Sequence, residues 1–154
     1  MKKFCLLIIC SLALFVAAPL ARAQGNAKQG PEVLCDPDLE KDSLHNLEVA
    51  RHYFKLKKAY IAALQRCEEI IAGNPVFSKI DEVLFMAGES SLRLAENKGK
   101  QASKVTSDKL REDARDYLSQ LVNAYPDSSF RKQAEDDLKG LGGPKPKDSK
   151  PSTP

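Results

Sequence analysis

Apolar residues along this chain recur at steps of three and four, and the densest such stretch runs from Lys58 to Leu94. Ala59, Ala63, Cys67, Ile70 and Ile71 share one face of a helix. Pro75 cannot continue that helix, and it pushes Asn74 towards extended backbone. Ser78 then predicts an N-cap, with Asp81 completing a capping-box pattern. Ile80, Val83, Leu84, Ala87, Ser91 and Leu94 make the stripe of a second helix. Neither helix can bury its stripe alone, so the two are expected to pack together and against neighbours.

The same signal returns downstream. A shift of 51 residues carries Pro75 onto Pro126 and sets Ala114, Leu118, Leu121 and Val122 under Ala63, Cys67, Ile70 and Ile71. Such a repeat predicts an all-α fold, a short helix-turn-helix solenoid of two helix pairs plus a C-terminal capping helix. Set on the tetratricopeptide pattern, the first unit reads Leu47-x2-Ala50-Arg51-x2-Phe54, then Ala63-x3-Cys67, then Pro75. The second reads Leu84-x2-Ala87-Gly88-x2-Ser91, then Ala114-x3-Leu118, then Pro126. These positions, with Ile70 and Leu121, are the expected repeat-packing set. Leu84 to Pro126 is 42 residues against 28 for Leu47 to Pro75, which places an insertion over Glu96 to Ser107. That insertion is polar and locally basic, a solvated loop or a docking loop.

The helical domain is expected over 38–141. Its first helix runs from Asp38 to Lys55, with Leu44, Leu47, Ala50 and Phe54 inward and Asp36 or Asp38 as cap. Ser107 to Ala124 follows the insertion, and a polar helix from Ser129 to about Leu141 closes the stack. Residues 24–37 read as an extended lead-in. Residues 142–154 read as a disordered tail, too rich in proline and lysine to build a core.

Residues 1–23 have the pattern of a signal peptide. Lys2 and Lys3 precede an apolar run from Phe4 to Ala18, and a small-x-small motif places cleavage between Ala23 and Gln24. Export to the periplasm is the expectation. Cleavage removes Lys2, Lys3 and Arg22 from 24 basic residues and none of the 21 acidic ones, so a formal charge of +3 falls to about zero. With no basic stripe interleaved with aromatics, a nucleic-acid partner is not expected.

The cysteines and histidines bear on chemistry. Cys5 and Cys10 leave with the signal, and Cys35 and Cys67 in an oxidising compartment invite a disulfide. The competing reading makes Cys67 a small core residue, the counterpart of Leu118. His45 and His52 are seven apart and lack the i, i+4 spacing of a helical metal pair. With no catalytic constellation and no glycine-rich phosphate loop, no enzyme activity, cofactor, metal or small-molecule substrate is expected.

Four segments together resemble a family. They are Asn46-Leu47-Glu48-Val49-Ala50-Arg51-x-Tyr53-Phe54, the Ala63-to-Pro75 helix, Asp81-Glu82-Val83-Leu84-Phe85-x-Ala87-Gly88-Glu89-Ser90, and Ala124-Tyr125-Pro126-Asp127-Ser128. They are similar to the BamD-like tetratricopeptide (TPR) domain of outer-membrane β-barrel assembly lipoproteins and their periplasmic relatives. The resemblance implies a non-enzymatic scaffold whose partners are outer-membrane or periplasmic proteins, with peripheral membrane association through them. A periplasmic relative linked to the Tol-Pal system, or a structural envelope protein without a defined client, is the alternative. The chain shows no acceptable acylation cysteine, which favours an envelope adaptor over the assembly subunit itself. The expected partner face lies on the first helix of each pair: Arg51, His52 and Lys55, then Glu82, Glu89 and Arg93. A groove of mixed charge suits an extended or helical protein segment.

Overall fold

The computed structural model describes residues 36–147. Among them are five α-helices and no strand: α1 (Pro37–His52), α2 (Tyr60–Gly73), α3 (Ile80–Ala95), α4 (Ser107–Ala124) and α5 (Arg131–Gly140). The signal segment, the lead-in up to Cys35 and the tail from Asp148 onward lie outside the described residues. Each helix packs chiefly on its neighbours in the chain, and α3 against α4 is the most extensive of these contacts. Neighbour-on-neighbour packing is the signature of a small solenoid. No described helix is long and apolar enough to cross a membrane.

Helix α1 starts where Asp36 accepts a hydrogen bond from the Asp38 N–H at 3.0 Å, with Pro37 in the first turn. It stops short of Lys55. Tyr53–Lys57 widens into a π-helical turn, and Lys58 closes it in the left-handed region at φ 49°. Thr106 caps α4 through its side chain, which accepts from the Lys109 N–H at 3.4 Å.

The capping box expected at Ser78 and Asp81 is not formed. Lys79 occupies the α3 cap position without a side-chain bond. Ser78 instead donates its hydroxyl to Glu40 in the first turn of α1, 38 residues away. Asp81, in the first turn of α3, accepts from Ser128 at 2.7 Å. The two bonds are equivalent: in each pair, the serine after the second helix ties back to a carboxylate at the start of the first. A partner across the pair outcompetes the local cap.

Most of the expected packing set is buried, and the two prolines are not. Leu47, Ala50, Ala63, Cys67, Leu84, Ala87, Ala114, Leu118 and Leu121 have no exposed surface, Ile70 and Gly88 are buried, and Phe54 is half-buried. Pro75 and Pro126 are exposed, so their part is to stop α2 and α4, not to fill the core. Leu44, expected inward, is exposed; its neighbour Ser43 takes the inward place, donating to the Leu39 carbonyl and accepting from Asn74. Helix α5 joins α3 through stacked Phe85 and Phe130, whose centroids are 4.9 Å apart.

The chain after α5 departs from expectation. Gly142 and Gly143 adopt φ values of 89° and 83°, which L-residues with a side chain rarely take, and turn the backbone back towards α4. Residues Gly142 to Lys145 are then held by α4 side chains. A reading from composition counts apolar burial and misses these polar ties.

Candidate partner-binding surface

Four of the six residues expected on the partner face are engaged within the fold. Arg51 on α1 donates to Glu82 on α3 through Nε and Nη2, both at 2.6 Å. This fork-on-carboxylate pair binds first helix to first helix, and the hydrogen bond to Glu82 raises the guanidinium pKa further. Glu89 is buried, contrary to the outward position expected, and accepts from Arg93 at 2.9 and 3.2 Å. Asp137 of α5 lies against Glu89, and its carboxyl is pushed up to about 6 by burial, then by hydrogen bonding to Glu89 and the Glu89 charge. A central helix touched by α1 and by α5 has little free surface for a partner. Of the expected face, His52 and Lys55 are left exposed.

Those two residues open onto a corner that periodicity did not mark. The π-helical turn interrupts the apolar stripe and throws Leu56 outward with 73% of its surface exposed, beside exposed Lys55, Lys57 and Lys58. The insertion after α3 arrives at the same place. The Lys100 N–H donates to the Lys58 carbonyl at 3.4 Å, and a Cβ on Gly99 would stand 3.4 Å from the Tyr60 ring. The loop backbone therefore lies against the start of α2 at Gly99 and Lys100, and the same loop carries exposed Lys98, Lys104 and Val105. Among the described residues, only Lys98 of these six lysines is ion-paired, with Glu96 at 2.8 Å. The insertion is thus a loop, as expected, but one seated on the repeat. The sequence signal was the run Lys55-Leu56-Lys57-Lys58, an apolar residue inside a charge cluster.

The other chemical groups are buried or hydrogen-bonded within the fold. Cys67 is a free thiol with no exposed surface, and burial pushes its pKa up to about 12, far from a reactive thiolate. Cys35, its expected bridging partner, lies outside the described residues. The Tyr117 hydroxyl on α4 donates to Glu68 on α2 at 3.1 Å, and burial raises the pKa of both groups. An open cleft of about 350 Å³ lies between the two inter-helix turns, and its Asp81 is occupied by Ser128. Among the described residues no group of three or more His, Cys, Asp or Glu is placed to share a metal ion. No family model, curated protein or solved structure matches the chain.

Proposed function

We propose that this protein is a non-enzymatic adaptor of the cell envelope. In this reading it is a tetratricopeptide-like scaffold of the BamD-like kind, exported by its N-terminal segment, that holds an outer-membrane or periplasmic protein. The observation that carries the reading is the lysine corner built by the π-helical turn and the inserted loop. The exposed lysines of the turn and of the loop that meets it, with exposed Leu56 on the turn and Val105 on the loop, suit an acidic protein segment that also offers an apolar side chain. Lysine charges on an exposed rim steer association and are screened by salt, so affinity is modest and falls with ionic strength. The expected groove on α1 and α3 is replaced by this corner, because Arg51, Glu82, Glu89 and Arg93 bind one another.

The test compares capture of crosslinked envelope proteins by the native chain and by Lys57→Glu/Lys100→Glu, with the helical signal monitored in both. The adaptor reading expects reproducible envelope proteins in the native capture and their loss in the variant and in high salt. Capture that survives both changes overturns it. Loss of binding to anionic vesicles in the variant, with no protein captured by the native chain, would replace the protein partner by a membrane surface.

A further inference from the structure

Beyond the lysine corner, α4 carries a second feature whose side chains already hold a peptide. Glu112, Arg115, Asp116, Ser119 and Asn123 recur at three and four residues and so form one stripe along the helix. Residues 142–145 lie along that stripe. Arg115 donates to the carbonyls of Gly143 at 2.8 Å and Gly142 at 3.2 Å. One turn further on, Ser119 accepts the Lys145 N–H at 2.8 Å, and Asn123 donates to the Lys145 carbonyl at 2.9 Å. Both backbone groups of Lys145 are thus read by side chains of one helix. Its ammonium group sits between the carboxylates of Glu112 and Asp116. Burial alone would lower the lysine pKa, but the two carboxylates outweigh it and the net shift is upward.

Every contact here is one a peptide ligand makes. The backbone bonds are indifferent to sequence, whereas the carboxylate pair selects a cation of lysine length. Pro144 and Pro146 flank the lysine and fix their own φ, and Pro146 favours extended backbone at Lys145, which lowers the ordering cost of binding. Gly142 and Gly143, both left-handed, serve to bring this segment back onto the helix. We infer that the α4 stripe is a peptide site for extended Pro-Lys-Pro segments, and that residues 142–147 occupy it in cis as a built-in ligand. A partner protein presenting the same chemistry binds by displacing the tail, so the site is self-occluded until such a segment competes. The chain's own segment has the advantage of tethering, equivalent to a local concentration in the millimolar range.

A labelled synthetic peptide with the sequence of residues 141–148 provides the probe. It is titrated into the full native chain and into full-length Lys145→Ala, whose tail has lost its contacts with the Glu112 and Asp116 carboxylates. The site predicts at least ~10-fold tighter binding to the variant, because the tethered competitor has lost its ammonium contacts and is weakened. Replacing the peptide's Pro-Lys-Pro lysine with alanine, or adding Asp116→Asn to the variant chain, should reverse the gain. Equal binding to both chains, or none to either while both melt like the native protein, overturns the inference. Sedimentation closes the remaining route: the native chain should stay monomeric. A concentration-dependent dimer abolished by Lys145→Ala would place the tail in trans and overturn occupancy in cis.

Discussion

Leu118 of α4 lies so close to Gly88 of α3 that a methyl group on Gly88 would stand 2.6 Å from its Cγ. Leu118 has no exposed surface and nowhere to retreat. Gly88→Ala improves helix propensity by up to about 1 kcal/mol, yet overpacking here is expected to win and destabilise by about 1–3 kcal/mol. Leu118→Cys, which gives the second pair the small residue that the first carries at Cys67, should relieve part of that penalty in the double variant. A denaturant midpoint for Gly88→Ala at or above the native value would contradict the close approach.

The buried hydroxyls of Ser90 and Ser91 have no hydrogen-bond partner. Alanine at either position removes an unsatisfied polar group and favours the helix, so each variant is expected to gain about 0.5–1 kcal/mol. Destabilisation by either would mean that its hydroxyl is satisfied in the folded protein.

Asp137 gives a pH signature. Burial and Glu89 raise its carboxyl from an ordinary 3.8 to about 6, so the folded chain holds that proton more tightly than the unfolded chain. Its contribution is fully present below pH 3.8 and is lost as pH rises through about 6. Asp137→Asn should therefore flatten this part of the stability profile and raise stability at neutral pH. The gain is on the order of 1 kcal/mol once solvent screening is discounted. Parallel native and variant profiles between pH 4 and 6 would contradict the shift.

Cys67 tests the core directly. A thiol buried without exposed surface and shifted to about 12 should resist alkylation in the native protein and react only after unfolding. Linked Cys35 and Cys67 peptides in a non-reduced digest would instead establish the bridge that export suggests.

Helix pairs were legible because apolar steps of three and four need no long-range knowledge. Ala63, Cys67, Ala114 and Leu118 are all fully buried where the repeat puts them. The reading failed where a distant group decided the outcome. Ser78 matches a local capping box, but Glu40 of α1 takes its hydroxyl. Glu89 looks like a surface charge on α3, yet Arg93 pairs with it and Asp137 of α5 lies against it. The proline-lysine tail lacks core residues, and its residues 142–145 are held by α4 side chains that composition cannot locate. Arg51 stands at the repeat position of Gly88, and Cys67 at that of Leu118. The first pair is thus large then small where the second is small then large, a compensation visible only once both pairs are set side by side.

The most direct test of the adaptor account is site-specific photo-crosslinking at Leu56 in intact envelopes, with Val76 as the control. Both are exposed, at 73% and 50%, and they flank opposite ends of α2. The account predicts a discrete adduct with an envelope protein from Leu56, absent from Val76 and lost when Lys57 and Lys100 are reversed in charge. Adducts of equal yield from both positions, or from neither, would contradict the lysine corner as the partner surface.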